Sequence, residues 1–426
     1  MKKYIVLLLI LLSFTVLAAD KLLQSTDFSY TGCFKIDIDN GNYSTGRGLA
    51  YNSTNNSLYV VGQYGSGRVG EVNIPTLYTG TSEGSIPTAT IRQNFVDVTN
   101  GSIQLFGSGG SYCDASGAEF RGLLVYNGYL YGAATGRYDT APICSYLSHF
   151  KTNLTLTTGA FDGYYGLLCS ATGWTPRMTA GGMCKIPAAY QTQLGGKVIT
   201  GSYPDSISTQ GPNGPSIASF DPEALGTKNT STSSLRGAAT LLIGYPEGYS
   251  LNYFDYDNAN TYHTRCDHVT GGMIAANSRT VFFIGQHGSR SAYSGGDACD
   301  PYYTGSYVWM YDIGNADGTN TTGNDTAEDG YTSGTKHNNI TAVKLGIIHP
   351  YNILPYAMFI MTTPWDTSPS EWNAVYAYTI DQATNKVYAS RNRGGSGAII
   401  EVYSIDSGPS TPTSVPTIGV GGFRTW

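Results

Sequence analysis

A strand–turn–strand phrase returns five times along this chain, and no other feature narrows its fold as much. Each copy starts on Gly or another small residue. It runs through a short apolar strand to Asn or Asp, and a second apolar strand follows. The copies are RGLAYNSTNNSLYVVG from Arg47, RGLLVYNGYLYG from Arg121 and GPSIASFDP from Gly214, whose partner AATLLIG follows from Ala238. The last two are GGMIAANSRTVFFIG from Gly271 and AVYAYTIDQATNKVYAS from Ala374. A self-similar β unit dispersed over one chain is the mark of a radial or linear repeat. The expectation is an all-β propeller of five blades. Uneven spacing keeps six or seven blades as alternatives.

Composition agrees. The 426 residues include 54 Gly and 34 Tyr but only 13% charged residues, which favours strands and tight turns over helices. In a propeller the first strand of each blade is crowded at the axis. Gly48, Gly122 and Gly272 suit such close approach of backbones. GEVNIP, YLSHFKT, SYVWMYDI and AIIEVYSI read as outer strands, and residues 188–194 as a short helical turn. Phe28–Ile36 is expected to pair with Ala398–Ile405 and close the sheet edge. Long insertions fall at about 163–212 and 312–339.

The N-terminus reads as a secretory signal. Lys2 and Lys3 precede an apolar run, which ends at Ala18-Ala19. Residues 1–19 are therefore expected to be a signal peptide, 20–406 a propeller domain and 407–426 a Pro/Ser/Thr-rich linker with a short hydrophobic tail. The protein is expected outside the cell or on its surface, with no stable membrane span. A net charge of −6 without a basic stripe leaves nothing to neutralise a nucleic-acid backbone. Export permits disulfides, and sequence proximity suggests Cys113–Cys144, Cys169–Cys184 and Cys266–Cys299, with Cys33 left over. Glycosylation sequons begin at Asn42, Asn52, Asn55, Asn100, Asn153, Asn229, Asn320, Asn324 and Asn339.

Read with their neighbours, the repeats resemble a group of poorly characterised secreted β-propeller proteins of microbes and viruses. The stretches that carry the resemblance include YTGCFKI, RGLAYNSTNNSLYVVGQYGSGRVGEVNIP, KIPAAYQTQLGGKVITG, TVFFIGQHGS, CDPYYTGSYVWMYD and the YTIDQATNKVYAS…IIEVYSI ending. They span most of residues 30–405. The resemblance implies a propeller and export, and it carries no catalytic residue across. The fifth copy departs from the pattern, with Asn373-Ala374 where Gly-Gly would stand.

A propeller site is expected where the loops before the innermost strands converge. That places Arg47, Glu119, Arg121, Asn213, Asp267, His268, Glu371 and Trp372 together. Two carboxylates across one pocket suit glycoside hydrolysis, one as acid and the other as base or nucleophile. Glu119, Asp267 and Glu371 are the candidates for that role, and Arg47, Arg121, His268 and Trp372 for ligand contact. The plainer reading has Glu119 paired with Arg121 or Arg47 as a plug. The oxygen-rich loop with Asp312, Asp317 and Asp325 suits Ca²⁺ by ligand type, though the EF-hand spacing is not met.

No nucleophile elbow and no CxxC pair are present. The leading functional expectation is thus a non-catalytic binding, adhesion or surface-assembly module for glycan or extracellular protein partners. Self-assembly would run through the hydrophobic tail. The alternative is a glycan-active hydrolase or lyase with axial carboxylates.

Overall fold

In four of the five phrases an Asn in the turn just before the second strand takes a left-handed position. Asn56, Asn127, Asn277 and Asn385 all have φ between 45° and 58°. Asn tolerates this conformation better than other residues with a side chain. These turns reverse the chain and join the first strand of a meander to its second.

The structure is a computed structural model. It describes residues 20–36, 47–62, 66–103, 114–137, 147–171, 174, 176–202, 215–225, 236–245, 268–286, 306–318, 339–350, 353–361, 363, 375–392 and 398–408. The protein is mostly β. Strand β1 is Phe28–Ile36. A first meander holds β2 (Leu49–Asn52), β3 (Ser57–Val61), β4 (Arg68–Asn73) and β5 (Ile91–Asp97). A second holds β6 (Asp114–Tyr126), β7 (Tyr129–Arg137), β8 (Leu147–Asn153) and β9 (Tyr164–Cys169). The next holds β10 (Met183–Lys185), β11 (Val198–Gly201), β12 (Ile217–Phe220) and β13 (Arg236–Ile243). Between β10 and β11 lies the short helix α1 (Gln191–Leu194). Then come β14 (His268–Val269), β15 (Met273–Ile274), β16 (Thr280–Gln286), β17 (Ser306–Asp312) and, after α2 (Ile340–Lys344), β18 (Ala357–Met361). The chain finishes its strands with β19 (Val375–Asp381), β20 (Lys386–Asn392) and β21 (Ala398–Ile405).

The last meander is completed by the first strand. β1 lies antiparallel to β21, from Phe28 opposite Ile405 to Ile36 opposite Ala398, which is the closure expected from the sequence. Parallel pairing of β9 with β13 welds the second and third meanders into one eight-stranded sheet. The first strands touch one another in sequence: β2 with β6, β6 with β10, β10 with β15, the β14–β16 hairpin with β19, and β19 with β2. The ring therefore closes, and the fold is propeller-like. Apolar side chains fill the spaces between meanders, with Trp309, Phe34, Phe120 and Phe150 fully buried. Each such ring contributes about 1.5–3 kcal/mol by leaving water.

One repeat was misregistered in the sequence. GPSIASFDP forms β12, the third strand of its meander, where a first strand was expected. The first strand is β10, which follows Gly181-Gly182 inside the insertion expected at about 163–212. Gly181-Gly182-Met183 matches Gly271-Gly272-Met273, and that is the signal that could have found it.

The Cys169–Cys184 pairing is also corrected. Both are buried free thiols. They lie on β9 and β10, four strands apart in one sheet. At about 4.8 Å per strand that separation is far beyond the reach of a disulfide. Cys33 is likewise a buried free thiol. Cys113, Cys144, Cys266 and Cys299 lie outside the described residues, as do the signal peptide at 1–19 and the tail after Gly408. Among the described residues no helix is long and apolar enough to cross a membrane.

Candidate functional site

Glycine decides how closely the first strands approach. A Cβ on Gly122 would stand 2.1 Å from the Gly181 carbonyl oxygen, and one on Gly201 would stand 2.2 Å from Gly271 Cα. Gly271 has φ +58°, and a Cβ there would meet the Gly182 oxygen at 2.4 Å. The second, third and fourth meanders thus meet backbone to backbone, and the Tyr378 hydroxyl of β19 donates to the Gly271 carbonyl. Between these three meanders no side chain fits at this level. Side chains there can gather only above or below it.

Above it stands the rim formed by the starts of the first strands. Arg47 sits just before β2, with its guanidinium carbon 4.9 Å from the centre of the Tyr376 ring. Stacking of this kind holds a cation over an aromatic face. Arg121 is 2% exposed. The β6–β7 register shifts between Phe120 and Gly122, and the β19–β20 register shifts between Val375 and Ala377. Arg121 and Tyr376 therefore both occupy β-bulges, which turn side chains out of the regular alternation and are common beside active sites. Glu119 lies on β6 opposite Thr135, two residues before Arg121. His268 opens β14 opposite Gln286. The structure thus brings Arg47, Arg121 and Tyr376 to one end of the ring. Tyr376 is the member that sequence reasoning missed, although its place next to a first-strand start could have flagged it. Asn213, Asp267, Glu371 and Trp372 lie outside the described residues.

Below the glycine level is a cavity of about 160 Å³ whose lining includes Tyr51, Met183, Cys184, Thr379 and Asp381. Burial pushes the Cys184 thiol up to about 12, so it is no nucleophile at neutral pH. Asp381 is turned inward on its own loop, accepting from Ala383 N at 3.1 Å and from the Thr384 hydroxyl.

A larger cleft of about 630 Å³ opens between the first two meanders, around Glu71. That carboxylate is 0% exposed. Asn52 donates to it at 2.9 Å and Asn55 at 3.1 Å, and the Ser57 hydroxyl and Gln93 amide also donate. Burial alone would raise its pKa, but these four hydrogen bonds outweigh burial and hold it below the ordinary value. Glu71 is therefore a fixed anion and a poor proton donor. It is also the only carboxylate among the described residues lining this cleft, so paired-carboxylate chemistry has no place here.

The same contacts correct two glycosylation expectations. Asn52 is 2% exposed and gives its amide hydrogen to Glu71. Asn339 is 0% exposed, and its side-chain oxygen accepts from Ala342 N at 3.3 Å to cap α2. Neither amide nitrogen is open to a sugar. Asn55 is half-buried and also held by Glu71. Asn100 and Asn153 are exposed, and Asn42, Asn229, Asn320 and Asn324 lie outside the described residues.

The Ca²⁺ loop is not assembled by what is described. Asp312 is buried, with Arg279 Nε at 3.1 Å and Nη2 at 3.1 Å, while Gly314 N donates to it at 2.8 Å. Asp317 is exposed and Asp325 falls outside the described residues. Among the described residues no three of His, Cys, Asp or Glu gather as a metal site would require.

No protein-family model matches this chain, and no curated protein does. Solved structures do. An arabinanase of Bacillus subtilis is 9% identical, covering 88% of this chain and 97% of its own, with a TM-score of 0.40. A PQQ-bound aldose sugar dehydrogenase of Streptomyces coelicolor is 10% identical, covering 88% and 98%, with a TM-score of 0.38. A structure from the GH130 family of mannoside phosphorylases and glycoside hydrolases is 10% identical, covering 93% and 99%, with a TM-score of 0.35. The neighbours are mainly glycoside hydrolases. That finding corrects the expectation of a non-catalytic binding, adhesion or assembly module. At this level of likeness no residue is carried across.

Proposed function

We propose that the protein is a five-bladed propeller whose axial rim acts on a glycan, as a hydrolase or lyase, outside the cell. The observation that carries this reading is the closed ring of first strands, since it gathers the starts of β2, β6 and β19 at one end. Arg47, Arg121 and Tyr376 stand there, and Glu119 is two residues from Arg121 along β6. Asp267 immediately precedes β14 in the chain, and Glu371 precedes β19 by four residues. The two arginines suit a substrate with acidic sugars, and the Tyr376 ring suits the face of a sugar.

In a hydrolase one carboxylic acid protonates the leaving oxygen while a second carboxylate serves as base or nucleophile. Glu119, Asp267 and Glu371 are the three candidates for those two roles. The test is a screen of neutral and acidic polysaccharides, reading new reducing ends for hydrolysis and unsaturated uronide absorbance for elimination. Glu119→Gln, Asp267→Asn and Glu371→Gln follow on any substrate found. Loss of at least a hundredfold in kcat is expected for two of the three. Turnover that survives all three substitutions would overturn the reading, as would a panel with no substrate at all.

A further inference from the structure

The cleft around Glu71 has no part in the chemistry proposed for the rim. It lies at the far end of β2, since Arg47 precedes that strand and Asn52, its last residue, lines the cleft. Its volume of about 630 Å³ is that of a small-molecule site. What such a site can hold follows from how its polar groups are turned.

Two amides are fixed by backbone contacts of their own. Asn52 Oδ1 accepts from Thr54 N at 3.2 Å, and Gln93 Oε1 accepts from Leu156 N at 2.9 Å. Both therefore turn their NH₂ groups to the Glu71 carboxylate, which Asn55 and Ser57 also meet with donors. A metal or ammonium cation approaching Glu71 would meet the positive ends of these dipoles. A phosphate or carboxylate would meet a fixed negative charge. An apolar ligand would strip water from a lining that is polar apart from Ile91 and Leu154. A neutral molecule rich in hydroxyls escapes all three penalties.

The donors around Glu71 are also unevenly shared. Asn52, Asn55 and Ser57 all give to Oε1, whereas Oε2 takes only Gln93 among the described residues. A carboxylate oxygen accepts about two hydrogen bonds, so Oε2 keeps one place. Arg92 Nε stands 3.8 Å from Oε2, too far for a hydrogen bond. The Arg92 side chain is 42% exposed. A hydroxyl suits this gap because it accepts from Arg92 and donates to Glu71 at once. Ile91, 46% exposed, adds an apolar surface to the same lining.

We propose that this cleft is a binding site for neutral saccharides, separate from the axial rim. One sugar hydroxyl bridges Arg92 Nε and Glu71 Oε2, and Ile91 meets the C–H face of the ring. Binding there does not depend on turnover at the rim.

Saturation-transfer NMR titration of the full chain with cellobiose, mannobiose, xylobiose, arabinobiose and digalacturonate tests this. At least one neutral sugar should bind saturably. Arg92→Met keeps the aliphatic stem and removes the donor, and it should raise the Kd of that sugar about tenfold. Arg47→Ala at the rim should change it by at most about twofold, as expected of a separate site. Urea unfolding checks that both variants are folded. No saturable binding by any neutral sugar would overturn the proposal, and so would an unchanged Kd in Arg92→Met. If Arg47→Ala abolishes binding while Arg92→Met does not, the sugar sits at the rim: this site is refuted and the glycan-active reading stands. Digalacturonate binding that Arg92→Met abolishes would refute the neutral class. A polysaccharide screen without a substrate, beside a disaccharide that still needs Arg92, would sink the reading of the rim and leave the cleft.

Discussion

Glu71 and Glu401 sit on the third strands of the first and last meanders, both 0% exposed, yet their charges are held in opposite ways. Glu71 is surrounded by neutral donors from Asn52, Asn55, Ser57 and Gln93, with Arg92 Nε 3.8 Å away at the half-exposed margin. Glu401 faces a cation. Arg391 Nε lies 3.0 Å from one oxygen and Nη2 donates to the other at 3.1 Å. Tyr403 donates to Glu401 at 2.9 Å and Thr363 at 3.2 Å, while Arg391 also reaches the Ser306 hydroxyl at 2.9 Å. The first arrangement spreads one negative charge over several replaceable dipoles. The second stakes two charges on each other. Arg391 lies opposite Val375 at the start of β19, so this pair supports the axial rim, whereas Glu71 supports the joint between two meanders.

The difference should be largest when one member of the ion pair is removed. Arg391→Met leaves Glu401 buried without its counter-ion and should cost about 3–5 kcal/mol in urea unfolding. Replacing both, as Arg391→Met with Glu401→Leu, should recover most of that loss, because the desolvation of two charges disappears with them. A single substitution that costs under about 1 kcal/mol, or a double no better than the single, would break the contrast.

Little of this contrast could be read in the sequence, although much of the fold could. Gly48 and Gly122 announced crowded first strands, and Asn56, Asn127, Asn277 and Asn385 announced the turns, because backbone conformation depends on local residue type. The β1–β21 closure was legible because both strands are strongly apolar. The third meander was not, since β10 has only three residues and its period is too short to see. Arg391 and Glu401 are ten residues apart on different strands, and their pairing depends on the β20–β21 register. The Glu71 network joins four segments. Arg47 and Arg121 were legible as rim residues because they adjoin first strands, but the bulges that aim Arg121 and Tyr376 are a property of register alone.

A third buried ionisable group sharpens the comparison, because it stays neutral. His149 on β8 is 0% exposed, and burial pushes it down to about 3 from an ordinary 6.5. Thr200 gives its hydroxyl hydrogen to Thr179 O at 2.7 Å, so His149 Nε2 donates to Thr200 at 3.2 Å. The unfolded chain binds a proton below 6.5 that the folded protein refuses. Stability is therefore complete above that pH and falls as pH drops, by about 2–3 kcal/mol at pH 4.5. His149→Phe, packing on Phe220, should lose this slope between pH 7 and 4.5. Parallel pH profiles for the variant and the parent would show that His149 is not the source.

Glu71→Gln comes next, at about 1–3 kcal/mol, because the added NH₂ meets donors where the second oxygen had met them. Its pH signature has the same sign and lies lower. A carboxylate held below its ordinary 4.5 contributes stability that is complete above 4.5 and is lost as pH falls through the lower folded value. The parent and Glu71→Gln should therefore converge in stability below pH 4.5. Divergence there would mean that the four donors act through packing and not through charge.

The smallest effect isolates one dipole of the four. Asn55 is half-buried and gives a single hydrogen bond to Glu71 at 3.1 Å, while Asn52 and Ser57 reach the same oxygen. Asn55→Ala should cost only about 0.5–1.5 kcal/mol, because the cleft beside it admits water to the vacated place. The paired design predicts a much larger penalty for the loss of any one charged partner. Urea unfolding of Asn55→Ala beside Arg391→Met measures that ratio directly. A loss above about 3 kcal/mol for Asn55→Ala would show that the donors around Glu71 form one cooperative unit, as indivisible as the Arg391–Glu401 pair.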